Sequence, residues 1–170
     1  MNLRVVEKED LSLIVDWAND PKFNGEHEPI MQLSKTELEK WYASSGSEEK
    51  WFLIEKKDGA KIGLVRCDSH AWGMTLGSVL IPSERGKGYC TEAVSILVDY
   101  LFLYKDIVRI QARFNKHNVA SKRVLEKVGF TEEGTMRQSS FSRGKWVDMT
   151  VCSILREEWK EPKILTRTGR

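Results

Sequence analysis

Long apolar runs are missing from this chain of 170 residues. Its most hydrophobic stretch, AVSILVDYLFLY at 93–104, is broken by Ser95 and Asp99 and falls short of the ~20 apolar residues a membrane-crossing helix needs. Cysteine is scarce. Cys67, Cys90 and Cys152 are odd in number and widely spaced, and no apolar leader core precedes them, so they read as reduced thiols of a cytoplasmic protein. Cys67 and His70 have zinc-like C-x-x-H spacing, but no second close pair completes four ligands, so no metal is expected. Neither sign of charge dominates. The 27 basic and 25 acidic residues are interspersed and leave a net charge of +2, without the basic face that nucleic-acid or membrane-surface binding requires. With only 4 prolines and no biased segment, disordered and fibrous classes are also excluded. What remains is a soluble globular composition, long enough for one domain over 1–170 that buries roughly 70 % of the unfolded surface, with a ragged tail after about residue 160.

The periodicities alternate in kind along the chain. LRVV at 3–6 is a short strand pattern, and EDLSLIVDWAND at 9–20 places Leu11, Ile14, Val15 and Ala18 on one helical stripe, stopped by Asp20-Pro21. The polar loop KFNGEHEPIMQL leads to Ser34, which forms a capping box with Glu37 at the head of a helix over 35–43. A β-meander follows at 50–57, 61–68 and about 72–81, its first turn marked by Asp58-Gly59. The remaining pattern is a helix over about 91–104, a strand over 107–114, a helix from an Asn118 cap to a Gly129 stop, and strands at 130–142 and 145–155. This order predicts an α+β fold with a mixed sheet, not a regular βαβαβ dinucleotide fold.

The segment RGKGYCTEA at 85–93 sits where the strand pattern SVLIP hands over to the helix. A Walker loop fails because Gly86-Lys87 has no glycine at position 81 and is followed by Gly88. A dinucleotide fingerprint fails at Thr91. A glycine loop opening a helix can still bring bare amides of residues 86–91 against a diphosphate, with Arg85 and Lys87 adding charge. On these letters alone, a plain glycine turn with solvated cations is an equal reading.

RGKGYC at 85–90 resembles the acetyl-CoA signature of the GNAT superfamily of N-acetyltransferases, [QR]-x-x-G-x-[GA], with Cys90 as an irregular last member. NVASKRVLEKVGF at 118–130 is similar to that family's second signature, an Asn-led helix closing in E-K-x-G-F. The resemblance implies a GNAT-like acyl-CoA N-acyltransferase fold, with a mostly antiparallel central sheet flanked by about four helices. It also implies acetyl-CoA as cosubstrate and direct transfer to a primary amine in a ternary complex. The N-x-x-S form at Asn118, GKWVD at 144–148 and the Glu158-Trp159 ending are most similar to the branch of the ribosomal-protein N-terminal acetyltransferases. That branch also holds acetyltransferases of polyamines and of aminoglycoside antibiotics. The expected partner is thus a peptide N-terminus or a small amine, and the expected assembly a monomer or homodimer. A non-catalytic acyl-CoA-binding module and an RNA-binding protein are the rival classes.

The resemblance further implies that Ser78, Val79 and Leu80 present a free strand edge to the pantetheine arm. The pyrophosphate would be held by Arg85, Gly86, Lys87, Gly88, Tyr89, Cys90 and Thr91, and Asn118 and Ser121 would flank the cofactor. Where many members carry a tyrosine acid, this chain has Leu125; in the N-x-x-S branch the Ser121 hydroxyl is implied as a donor to the departing thiolate, and a first-turn helix residue without chemistry is an equal reading of Ser121. A carboxylate base is also missing from its usual strand, where Met74, Thr75, Leu76 and Gly77 stand. The remaining base candidates are Glu26, His27 and Glu28 in the acceptor loop, His70 at a turn, and Asp148, for which Arg137 or Arg143 is the expected hairpin partner. Glu26 and Glu28 are preferred because carboxylates at the entrance attract a cationic amine.

Overall fold

Residues 1–46, 49–160 and 162 are described by the computed structural model. The expectation about the tail after about residue 160 falls almost wholly outside them. A seven-stranded sheet in the order β1-β2-β3-β4-β5-β7-β6 carries every described strand. The strands are β1 (Asn2–Val5), β2 (Glu49–Glu55), β3 (Lys61–His70), β4 (Gly73–Leu80), β5 (Arg109–Asn115), β6 (Thr131–Ser142) and β7 (Lys145–Leu155). The helices are α1 (Leu11–Ala18), α2 (Pro21–Asn24), α3 (Lys35–Ser44), α4 (Tyr89–Tyr104) and α5 (Val119–Val128). All strand pairs are antiparallel except β4 with β5, so the α+β reading and its mostly antiparallel sheet hold.

The sheet is covered on both faces, by different helices. On one, Val94, Leu97, Val98 and Leu101 of α4 pack with Ile54, Val65, Met74 and Ile110, and Leu125 of α5 joins the same cluster. On the other, Leu11 and Ile14 of α1 and Leu38 of α3 pack on Leu53 and Leu64. Each such side chain contributes roughly 1.5–3 kcal/mol on burial, which is why the period-3.6 stripes and the β-runs were readable. Beside β1, the buried Asp10 carboxylate accepts from Arg4 Nη1 and Nη2, both at 2.9 Å, from Lys61 Nζ at 2.7 Å and from the Glu7 amide at 2.9 Å. These donors hold its carboxyl far below the ordinary range, the Arg4 hydrogen bonds foremost.

One expectation changes at Asp20-Pro21. The pair does not simply stop α1. Asp20 accepts from the Lys22 amide at 2.8 Å, and Pro21 takes the first position of the single-turn helix α2 inside the expected loop. Proline is suited there because its missing N–H would be unpaired anyway. Helix α2 is tied to α1 by the Trp17–Phe23 ring stack, 5.1 Å between centroids, and by Asn24 Nδ2 donating to the Ala18 carbonyl at 2.8 Å. Helix α4 starts at Tyr89, two residues earlier than the apolar pattern suggests, because Gly88 takes the cap position with φ +86°.

Candidate active site

The parallel register of β4 with β5 covers only Met74–Leu76 against Ile110–Ala112. Beyond it β4 stays paired with β3 as far as Leu80, and β5 stays paired with β7 as far as Asn115. The two strands therefore part and leave a wedge-shaped cleft in mid-sheet. The alternation of the antiparallel ladders turns the backbone groups of Ser78 and Leu80 on one wall, and of Arg113 and Asn115 on the other, into the cleft. Two of these groups are internally satisfied: the Leu80 carbonyl accepts from Arg85 Nε at 3.1 Å, and the Asn115 carbonyl from the Asn118 amide at 2.7 Å. The amides of Ser78 and Leu80 and the Ser78 carbonyl have no partner among the described residues, so this edge is competent to pair with an amide-bearing arm.

The glycine loop closes one end of the cleft. Gly86 and Gly88 lie at φ +75° and +86°, left-handed conformations that favour glycine, and a Cβ at either would project into open space. The first intrahelical bond is Glu92 N–H to the Gly88 carbonyl at 3.1 Å, and among the described residues the amides of Gly86 to Thr91 find no acceptor. Left-handed glycines alternating with other residues, followed by a helix N-terminus, make an anion-binding concavity. The arrangement fits a diphosphate.

The two cations of the loop face protein partners. Arg85 donates from Nη2 to the Lys22 carbonyl at 3.0 Å and to the Phe23 carbonyl, besides its bond to Leu80. Lys87 Nζ sits 3.3 Å from Glu84 Oε2, a mostly buried carboxylate. Cys90 donates its thiol proton to Ser78 Oγ at 3.2 Å, and burial raises its pKa above the ordinary thiol value. A thiol held protonated and turned to the β4 wall is a poor nucleophile.

Asn118 caps α5, its Oδ1 accepting from the Ser121 amide at 3.0 Å. Its Nδ2 group and the half-buried Ser121 hydroxyl remain without protein partners among the described residues. Leu125 is 5 % exposed and belongs to the core, so no acid stands at that position.

On the opposite face of the sheet, where α1 and α3 pack, lies the loop after α2. Glu26 is exposed and lies 3.4 Å from His27 Nε2. Glu28 keeps an open side to solvent, yet desolvation by its surroundings raises its pKa, with the Arg66 and His27 charges pulling it back. Arg66 pairs with Gly77 across β3 and β4, and its side chain crosses that residue so closely that a Cβ there would meet Nε at 3.1 Å. Gly77, adjacent to the free strand edge, thus makes room for the cation that faces Glu28.

Arg143, at the tip of the β6–β7 hairpin, donates to the Gly25 carbonyl at 2.8 Å and to the Glu28 carbonyl at 3.2 Å. Loop, hairpin and the end of β5 with its following turn line an open cavity of about 400 Å³, bordered among others by Glu26, His27, Asn115, His117, Trp146 and Asp148.

Of the other base candidates, His70 lies away from this cavity, whereas Asp148 lines it with its carboxylate already bound. His70 stacks on Trp72 at the β3–β4 turn, 4.8 Å between centroids, at the end of β4 remote from the cleft. Asp148 is bound by Lys116 Nζ at 2.6 Å and by the Gln138 amide at 2.9 Å, not by Arg137 or Arg143. It holds the β6 bulge, where Gln138 adopts φ +46°. Sequence reasoning missed Asp68. This half-buried carboxylate on β3 lies on the same face as Arg66 and opposite Glu49 in register, and burial with the like charge of Glu49 raises its pKa. A lone aspartate in KIGLVRCD carries no signal of that pairing. Among the described residues no group of His, Cys, Asp and Glu is arranged to hold a metal ion, and no helix is long and apolar enough to cross a membrane.

Comparison with known proteins agrees with this geometry. A local match, 42 % identical over 80 residues, links the chain to the probable N-acetyltransferase YjcK of Bacillus subtilis, covering 47 % of this chain and 44 % of that protein. Over 94 % of its length the chain is 27 % identical to the spermidine N(1)-acetyltransferase of Escherichia coli K12, covering 88 % of it. In fold it is similar to the spermidine N-acetyltransferase of Vibrio cholerae solved with CoA and spermine, with a TM-score of 0.82 at 24 % identity, covering 92 % of this chain and 96 % of that one. Because residues 1–131 match the acetyltransferase (GNAT) domain model, three-quarters of the chain and both walls of the cleft fall within it, and the chain belongs to the GNAT acetyltransferase family.

Proposed function

We propose that this chain transfers the acetyl group of acetyl-CoA to a primary amine of a small, polyamine-type acceptor. The observation that carries the cofactor half is the cleft itself, with unpaired amides on β4 leading to unpaired amides at the head of α4. Acetyl-CoA supplies an acyl group already activated as a thioester. The chain's residues then have separable tasks. The amides of Gly86 to Thr91 seat the diphosphate, and Val79 keeps the strand extended between Ser78 and Leu80, whose N–H groups bind the arm and stabilise charge developing on the acyl oxygen. Asn118 Nδ2 orients the arm. Holding both reactants in one cleft provides most of the acceleration.

A cationic amine must lose a proton before it can attack, and Glu28 is the base we assign to it. Its raised pKa makes it a better proton acceptor than a fully solvated carboxylate, while Glu26 attracts the amine at the entrance. The Ser121 hydroxyl is the donor to the departing thiolate, a light task because a thiol is itself fairly acidic.

The acceptor class is supported by the relatives that span most of the chain and are named for spermidine. None of the relatives compared above is named for a ribosomal protein, so the peptide N-terminus becomes the second choice of substrate. Thiol release from acetyl-CoA, followed with spermidine, spermine, an aminoglycoside and N-terminal peptides, tests the proposal. Turnover with spermidine or spermine is expected. Turnover with peptides alone would replace the acceptor, and cofactor binding without release on any amine would leave only a binding module.

A further inference from the structure

We propose that Arg85 is a positioning residue that couples the diphosphate seat to the acceptor loop, and is not itself a phosphate ligand. Its backbone belongs to the cofactor side: its amide closes the short turn on Pro82 at 3.3 Å, and the next residue is Gly86, the first of the open amides. Its side chain belongs to the acceptor side. The guanidinium spans the Leu80 carbonyl at the end of β4 and the Lys22 and Phe23 carbonyls of α2, residues 62 and 63 positions away in sequence.

These α2 carbonyls are the orphan acceptors of a helix C-terminus, where a fixed cation with several donors is the best partner. Gly25 follows at once, with φ +81°, and opens the segment that carries Glu26, His27 and Glu28. Both ends of that segment are held by Arg143, through the carbonyls of Gly25 and Glu28. The acceptor loop is therefore suspended between two arginines, one rooted in the cofactor loop and one in the hairpin. A diphosphate that orders residues 85 and 86 must also order the Arg85 guanidinium, and with it the end of α2. Cofactor binding thus presets the loop that receives the amine, which is a coupling between two sites in the thermodynamic sense.

The inference rests on the assignment of the glycine loop to acetyl-CoA, and its test separates the two. Amide hydrogen exchange of residues 22–28 is measured with and without CoA, on the wild-type chain, Arg85→Gln and Arg85→Lys, alongside calorimetric CoA binding. CoA is expected to slow exchange of this segment about tenfold in the wild-type chain. Arg85→Gln is expected to bind CoA within threefold of wild type while losing that protection, and Arg85→Lys to retain part of it. A loss of CoA affinity of tenfold or more in both variants, with the fold intact by thermal unfolding, would make Arg85 a phosphate ligand and overturn the proposal. So would protection that survives in Arg85→Gln. If the wild-type chain bound no CoA, the cofactor assignment would fail. The link would then stand on the free protein alone, supported if Arg85→Gln speeds exchange at 22–28 and rejected if it does not.

Discussion

The two sides of the β4–β5 cleft are built from different materials. The α4 side is made of backbone: two left-handed glycines, a row of unpaired amides and a bare strand edge, all within residues 78–91. The other side, which we assign to the acceptor, is made of side chains gathered from the whole chain, with Glu28 from the first loop, Arg66 and Asp68 from β3, and Arg143, which bonds to Gly25 across 118 residues. Backbone chemistry is written in consecutive letters and tolerates almost any side chain between them. Side-chain chemistry depends on which distant segments the fold brings together.

The sharpest way to break this comparison is at the backbone side. Gly88→Glu forces a side chain into a left-handed conformation, strains the head of α4 and sets a carboxylate among the amides we assign to the diphosphate. CoA affinity should fall more than a hundredfold by calorimetry, and a dissociation constant near the wild-type value would remove the diphosphate seat from this loop.

On the acceptor side the largest effect is expected at Glu28. Glu28→Gln should lower kcat/KM for the amine by roughly a hundredfold, the scale of a lost general base, with CoA affinity unchanged. Because burial raises this carboxyl, its basic form is lost at a higher pH than for an ordinary glutamate. The acid limb of the wild-type pH profile should therefore lie above the usual carboxylate range and vanish in Glu28→Gln. If the limb persists there and disappears in Asp68→Asn instead, Asp68 is the base.

Asp10 separates fold from site. Asp10→Asn removes the buried carboxylate that Arg4 and Lys61 share, leaves Arg4 with Glu55, and should cost about 2 kcal/mol in urea unfolding at pH 7, with CoA affinity intact. The folded-state pKa is depressed, so this stabilisation is fully present above the unfolded carboxyl's pKa and is lost as pH falls toward the folded value. The difference between wild type and variant should therefore shrink in acid, and a constant difference from pH 7 to pH 3 would contradict the assignment. The smallest effect belongs to Cys90. Its thiol is protonated and faces Ser78, so Cys90→Ala should stay within twofold of wild-type kcat, and an acetyl-cysteine trapped on the wild-type chain would reverse that view.

The same division explains what was legible beforehand. The strands after residue 107 and the helix from Asn118 to Gly129 follow from local periodicity and caps, and the two signatures marked the acetyltransferase family without a structure. Helix α2 was hidden because Asp20-Pro21 both ends one helix and caps the next, and one dipeptide cannot reveal which use the fold makes of it. The hydrogen-bonded partner of Asp148 was not legible because Lys116, in the turn after β5, lies 32 residues away, while the expected Arg137 acts on it only through its charge. The hydrogen bonds of Arg85 to α2 were not legible because its partners lie 62 and 63 positions away in sequence.

The burial of Cys67 and Cys152 and the half-buried, hydrogen-bonded state of Cys90 have a practical consequence at the bench. Desolvation pushes Cys67 and Cys152 up to about 11 and raises Cys90 as well. At pH 8 only about one Cys67 or Cys152 side chain in a thousand is ionised. Disulfide dyes should therefore react with released CoA long before they react with the folded chain, and the colour that reports turnover needs almost no correction for the enzyme's own sulfur.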